Sequence, residues 1–446
     1  MTSPTPWRWI PTLYFSQGMP YVTVMTLAVV MYKNLGVSNT EIALYTSWLY
    51  LPWVIKPLWG PLVDLVGAKR GWVIVMQLTI GAALAMVALT LPASRFLQLS
   101  LAVFWLMAFA SATHDIAADG FYMLALKPSS QAAFVGVRST FYRVAMISGQ
   151  GGLVVLAGWL TDRHGGSDQV AGNDAVVMAW SQVFWIMGLG FAAFAAWHAW
   201  ALPRPASDRA APRTATFWRD FGAVFASFFR QRDIVRVLAF LLLYRFAEAQ
   251  LLKLVTPFML DAREVGGLGL RTQDVGIAYG TVGVLALTCG GLLGGWLISR
   301  GGLKRMLWPL VLCMHLPNTV FVMLALWQPQ GLSMVSVAVA VEQFGYGLGF
   351  TAFMVFLLMV ASQASTGVAG ETQARNPHQT AHYAIGTGFM ALGMMLPGMA
   401  AGWLQARLGY SGFFIWCCFA TLPSFAAAAW LRIDPTFGRK APAETG

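Results

Sequence analysis

The chain has 446 residues, 57% of them hydrophobic and only 11% charged, with a net charge of +11 and a mean hydropathy of +0.62. A soluble domain carries about 25% charged residues, so this composition excludes an ordinary water-soluble globule. It points to an all-α membrane protein, because about 20 apolar residues in a helix cross a ~30 Å hydrocarbon layer.

Taken in chain order, the apolar stretches predict twelve spans: 9–32, 39–62, 72–91, 97–124, 134–160, 176–201, 235–260, 275–298, 306–327, 332–361, 379–403 and 411–431. The first is of full length and has no A-x-A-like cleavage site, so it reads as a retained helix rather than a signal peptide. Lysines and arginines crowd onto one set of connections, among them Lys69, Arg70, Lys127, Arg300, Lys304, Arg305 and Arg432. Lys33, Arg95, Arg163, Arg263, Arg271 and Arg407 fall on the other set. The richer side is the cytoplasmic one by the positive-inside rule, which places both termini in the cytoplasm. This bias accounts for the positive charge, and no nucleic-acid partner is expected. The cysteines, Cys289, Cys313, Cys417 and Cys418, lie in predicted spans without metal-ligand spacing and read as small hydrophobes.

The longest polar connection, 202–234, begins rich in Pro and Arg and becomes a basic amphipathic segment from Phe217 to Arg230. Such a segment suits the membrane surface. It separates a six-helix bundle at 1–201 from a second at 235–431, which is followed by a tail at 432–446. The halves share local sequence. "GPLVDLVGAKR" (60–70) and "GWLISRGGLKR" (295–305) repeat two glycines, a lysine and an arginine at identical spacing, and "GWLTDRHG" (158–165) is matched by "GWLQARLG" (402–409). Parallel repeats of this kind mark transporters whose halves are related about the membrane normal. Asp64, Lys69 and Arg70 can form charge-assisted bonds in a tight loop, which makes them candidates for a cytoplasmic gate. A plain topology anchor is the competing reading.

Charges inside the spans are the candidate functional groups, since each costs on the order of 2.5–3.5 kcal/mol at the bilayer centre. In "HDIAADGFYM" (114–123), Asp115 and Asp119 stand four residues apart on one helix face. Two like charges so close suit one of them to carry a proton; the alternative is that both pair with Arg138 and Arg143 on the next span. Those arginines are five apart, roughly 140° around a helix, so they point to different partners. A guanidinium grips carboxylate or phosphate bidentately, which favours an anionic substrate, with Arg143 the deeper binding residue. In span seven, Arg245 and Glu248 at i, i+3 are close enough to pair, and Lys253 lies further along. Glu342 sits mid-span with Tyr346 one turn on, and is either a proton carrier or a protonated helix-interface residue. His382 with Tyr383 is placed at the cavity. His378 and His382 at i, i+4 lack nearby carboxylates, so no metal is expected. Lys56, between Pro52, Pro57 and Pro61, is expected to snorkel to the interface. No cofactor motif is present, and the absence of a P-loop pattern argues against ATP as the energy source.

The G-x-x-x-D-x-x-G run at 60–67 followed by basic residues, the twelve spans and the six-plus-six repeat resemble the major facilitator superfamily. That resemblance implies two six-helix bundles about a central cavity. "YFSQGMP" (14–20), "IKPLWGPLVD" (55–64), "RGW" (70–72), "HDIAADGFYM", "YRVAMISGQGGLVVLAGWLTD" (142–162), "LLLYRFAEA" (241–249) and "EQFGYGLGFTAFMVFLLM" (342–359) are similar to the AmpG-type permeases of the peptide/acetyl-CoA transporter family. The likeness implies a monomeric, proton-driven importer of anhydro-muropeptides in the bacterial inner membrane, serving cell-wall recycling by alternating access. It carries Asp115, Asp119, Arg143, Arg245, Glu248 and Glu342 over as cavity residues. Other branches of that family resemble siderophore importers and acetyl-CoA transporters, and both remain open as alternatives. A membrane sensor of cell-wall fragments would need a signalling domain, and an intramembrane hydrolase built on His114 and Asp115 lacks a nucleophile, so no enzyme is expected.

Overall fold

The computed structural model describes residues 5–166, 173–209, 217–231, 233–362, 379–435 and 437–438, and every regular element among them is helical. Among the described residues, nine stretches are long and apolar enough to cross a membrane. One of them, Gln379–Trp430, bends where Gly409 adopts a φ of 68°, and so supplies two spans. Broken helix pairs at 39–65 and 234–260 complete the predicted twelve. Their breaks fall at 49–50 and 244–245, and the second lies beside Arg245 and Glu248.

The chain forms two compact units, Met1–Arg213 with Val255–Thr281, and Thr214–Leu254 with Val282–Gly446. The first is built from α1 (Ile10–Val22), α2 (Ala28–Asn34), α3 (Asn39–Trp48), α4 (Leu51–Leu65), α5 (Lys69–Thr90), α6 (Phe96–Ala125), α7 (Pro128–Ile147), α8 (Val154–Arg163) and α9 (Asp174–Ala201). Local sequence sets the starts of these helices. Ser38 and Glu41 form a reciprocal capping box on α3, and Asn173 caps α9 through the Val176 amide at 2.8 Å. α5 lies between α6 and α9, and α1 packs on α7. Trp9, Leu13, Tyr14, Phe121 and Tyr122 bury the end of the unit where α1 begins.

Residues 255–281 of the second half of the sequence belong to this first unit. They are held by polar contacts at the far end of α2: the Lys33 ammonium meets Asp261 at 2.5 Å, Asn39 donates to Asp261 at 3.1 Å, and Asn34 donates to Thr272 at 3.0 Å. Beside them, the π-helical turns at Ser148–Leu153 and Gly276–Gly283 meet backbone to backbone, with Gly280 against Gln150.

The second unit contains α10 (Phe217–Phe229), α11 (Ile234–Leu243), the first part of α12 (Phe246–Leu260), α14 (Val284–Gly301), α15 (Leu303–His315), α16 (Thr319–Trp327), α17 (Leu332–Ser362), α18 (Gln379–Phe419) and α19 (Leu422–Trp430); the short α13 (Thr272–Val275) lies in the first. α17 packs on α14 and α15, and Phe240, Tyr244, Phe353 and Phe356 form the aromatic centre of the core.

The repeated loop places a positive-φ glycine at the same position in both units. Gly67 and Gly302, 235 positions apart, adopt φ of 89° and 77°, the left-handed region that disfavours any side chain. In each unit the segment after the sixth span returns to the helix that follows this glycine. The Asp208 carboxylate accepts the backbone amides of Lys69 at 2.7 Å and Arg70 at 3.0 Å, and the Phe437 carbonyl accepts the Leu303 amide at 3.0 Å. Both contacts satisfy orphan amides of a first helical turn.

Candidate functional site

The aspartates of α6 face a polar and aromatic cluster in the first unit. Asp119 accepts a hydrogen bond from the Tyr14 hydroxyl at 3.2 Å and from Arg138 at 2.9 Å. The Arg138 guanidinium stacks over the rings of Tyr14 at 4.4 Å and Tyr122 at 5.1 Å. Arg138 is thus the helix–helix partner of Asp119, with the two side chains still 31% and 43% exposed. Asp115, one turn deeper, takes a different set: Trp53 donates to it at 3.2 Å, and Gln17 and Lys56 lie within its electrostatic reach. Tyr21 meets Trp53 edge-on at 5.6 Å, and Tyr142 stands close to Tyr21 and both aspartates. Arg143 is half-buried on α7.

Lys56 differs from the expectation. Rather than acting only as an interfacial snorkel, its ammonium lies in the field of Asp115, an attraction strengthened where water is scarce. Tyr14, Gln17, Trp53 and Tyr142 are also contributors that charge-based reading passed over. The signal for two of them was present: Tyr14 and Gln17 stand at i, i+3 in an otherwise apolar helix.

His114 follows another course although it adjoins Asp115. It is buried against Gln77 at 3.1 Å; Gln77 bonds Ser16 at 3.0 Å and His198 at 2.9 Å, and His198 reaches Thr12 at 2.9 Å. This uncharged spine ties α6, α5, α1 and α9 together, and no His114–Asp115 dyad forms.

Lys69 and Arg70 start α5. Arg70 also donates to the carbonyls of Ala199 and, at 3.4 Å, Leu202 at the end of α9. The carboxylate on their amides is Asp208, which sequence reading did not single out. The Asp64 side chain, the expected partner, lies outside the described residues, as does His378.

In the second unit, span seven breaks between α11 and α12 beside the buried charges. Arg245 donates to the Tyr346 hydroxyl and stacks over the rings of Tyr346 at 5.3 Å and Phe350 at 5.1 Å. Glu248 and Glu342 are fully buried and within electrostatic reach of one another, and Arg245 is within reach of Glu248. Among the described residues, neither Glu248 oxygen has a hydrogen-bond partner. Glu342 has one, the Gln343 amide at 2.9 Å. The expected Arg245–Glu248 pair is not hydrogen-bonded among the described residues; the Arg245 guanidinium engages Tyr346 and Phe350 of α17 instead. Lys253 is buried further along α12.

His382 stands apart from these groups. Its two ring nitrogens lie 2.8 Å from the Ser227 hydroxyl and 2.9 Å from the Gln231 amide, and Phe228 meets the ring edge-on. It anchors the amphipathic helix α10, whose Phe228 is buried in the core of the unit. The segment expected only on the membrane surface is thus also docked on protein.

The family model of the Major Facilitator Superfamily matches residues 12–374. The chain belongs to the Major Facilitator Superfamily. Its members are transporters of small molecules and work as single chains, and this chain is accordingly a multi-pass membrane transporter. The chain is 25% identical over 424 residues to the anhydromuropeptide permease of Escherichia coli K12, covering 92% of this chain and 76% of that protein. It is 22% identical to putative transporter AmpG 4 of Rickettsia conorii, covering 93% and 94%. Among solved structures, a bacterial homologue of the lysosomal transporter Spinster, inward-facing and unoccupied, matches with a TM-score of 0.66 at 15% identity, covering 98% of this chain and all of that one. The superfamily fold thus extends over the whole six-plus-six arrangement.

Proposed function

We propose that this chain is a proton-coupled importer of an anionic solute, of the anhydro-muropeptide class, across the bacterial inner membrane, with both termini in the cytoplasm. The observation that carries the coupling is the Glu248–Glu342 pair: two fully buried carboxyl groups, close to each other and nearly without hydrogen-bond donors. An ionised carboxylate in such a place costs several kcal/mol unless a proton, a cation or a donor meets it. Uptake or release of a proton there, with Arg245 nearby, links the charge of the site to the solute it holds. Asp119 is already neutralised by Arg138, so Asp115 is the aspartate of α6 that joins the exchange. Arg143, Arg245 and Lys253 supply the positive charge for the solute, with Tyr346 orienting Arg245.

The solute class is supported by similarity to the anhydromuropeptide permease along 92% of this chain. The two bundles, 1–201 and 235–431, rock about the site, and the Asp208 contact with Lys69 and Arg70 serves as the latch on the cytoplasmic side. Membrane vesicles with an imposed proton gradient test the proposal. Labelled anhydro-muropeptide accumulates only when the gradient is inward. Accumulation independent of the gradient overturns the coupling, and no uptake overturns the solute assignment.

A further inference from the structure

One motif is not used by the transport site. Gly-Trp-Leu-x-x-Arg occurs three times, at 158–163, 295–300 and 402–407. Trp and Arg stand four residues apart, so they share a helix face, and in all three copies the guanidinium stacks over the indole. The distances to the ring are 5.2 Å for Arg163 on Trp159, 4.1 Å for Arg300 on Trp296 and 4.8 Å for Arg407 on Trp403. The three indoles are 48%, 48% and 49% exposed. The glycines ahead of Trp159 and Trp403 face the other way, toward protein. A Cβ at Gly158 would lie 2.8 Å from the Gln273 amide, and Gly402 is buried.

The arginines are exposed as well, and among the described residues none of the three has a hydrogen bond or an ion pair. Other stacked arginines of this chain differ. Arg138 is paired with Asp119, and Arg236, over Trp430, is paired with Asp233. Face-on stacking leaves the N–H edges of a guanidinium pointing outward in its plane, a fork that fits two oxygens of a phosphate. An indole at the end of a membrane span lies at the headgroup level, with its apolar body toward the acyl chains.

We propose that each Trp–Arg pair is a bracket for the phosphate of an anionic glycerophospholipid headgroup. Spans five and eleven run in the same sense and span eight in the opposite one, so brackets face both leaflets. Trp159–Arg163 and Trp403–Arg407 hold lipid in one leaflet, and Trp296–Arg300 in the other. Each offers a positive charge, two donors and an apolar plate at one depth.

Native mass spectrometry of the full chain in detergent, titrated with phosphatidylglycerol, tests this. Arg163→Gln, Arg300→Gln and Arg407→Gln each remove about one tightly retained lipid, and the triple variant removes about three. Lysine at the same positions restores charge without the fork and recovers retention in part. Arg95→Gln, an exposed helix-end arginine with no stacked ring among the described contacts, is the control and leaves retention unchanged. The proposal is overturned if the triple variant retains as much phosphatidylglycerol as the parent. It is also overturned if Arg95→Gln loses as much as the bracket variants, or if diacylglycerol, which lacks the phosphate, shows the same losses. Melting of each variant without added lipid confirms that it is folded, and Trp159→Leu and Trp403→Leu give a second readout in which retention falls with every charge kept.

Discussion

Gly280→Ala should open the contact between the two π-helical turns of the first unit. A Cβ on residue 280 would lie 2.0 Å from the Gln150 carbonyl oxygen, 2.1 Å from its carbon and 2.3 Å from the Gly151 nitrogen. Ordinary contacts between non-bonded heavy atoms lie near 3.5–4.0 Å, so the turns must part by about 1.5 Å. The obstacle is backbone and cannot rotate aside, which puts the cost at or above the ~3 kcal/mol upper end for overpacking. That cost reduces the population of the closed contact about 100-fold relative to any form in which it is open. Hydrogen exchange of Gly276–Gly283 and Ser148–Leu153 should quicken, and melting should fall by several degrees. Gly152→Ala is the internal control: a Cβ there meets nothing within 4 Å, and exchange and melting should match the parent. Unchanged exchange in Gly280→Ala, or an equal effect in Gly152→Ala, refutes the reasoning.

Four further outcomes follow from the contacts. Asp208→Ala removes the acceptor for two first-turn amides and should cost about 1 kcal/mol, read as lost exchange protection at Lys69 and Arg70; unchanged protection counts against the cap. Lys33 and Asp261 are only 16% and 17% exposed, so a double-mutant cycle with Lys33→Gln and Asp261→Asn should give a coupling of about 1–2 kcal/mol, and additivity counts against the pair. Arg138→Leu should cost about 1 kcal/mol, discounted for the partial exposure of the pair, and Asp119→Leu added to it should restore part of the loss in melting. Under the proposed coupling, Glu342→Gln should abolish uphill accumulation in vesicles while exchange of solute at equal concentrations persists; retained uphill transport removes Glu342 from the proton path.

The fold was legible because its signal is repetitive. Apolar runs of span length predict the helices, and the loop repeat predicts two halves that indeed share a left-handed glycine at 67 and 302. The charges in the spans were legible too, since an aspartate in an apolar helix stands out against its background. Of their partners only Arg138, on the next span, was among the candidates. Helical spacing finds neighbours on one helix, whereas Tyr14, Trp53 and Lys56 reach the α6 aspartates from other helices. Arg245 and Glu248 show the opposite failure: i, i+3 spacing predicts a pair, but the Arg245 guanidinium turns to Tyr346 and Phe350 on another helix. His382 was assigned to the cavity because polar groups in spans are scarce. Its partners, Ser227 and Gln231, come from a segment whose docking no local pattern encodes.

The two units handle buried carboxyl groups in different ways, and the difference bears on mechanism. In the first unit each aspartate has a donor already in place: Tyr14 and Arg138 on Asp119, Trp53 on Asp115. Of the two, Asp119 is held in its ionised form by a guanidinium, whereas Asp115 has a neutral donor and only the more distant charge of Lys56. In the second unit Glu248 has no donor among the described residues and Glu342 has one. Low dielectric makes unmet polar groups costly, and a costly arrangement responds most to a proton, a solute or a shift of Arg245. Under the proposed coupling, Asp119 is the fixed carboxylate of the first unit, and Glu248 and Glu342 are the responsive groups of the second.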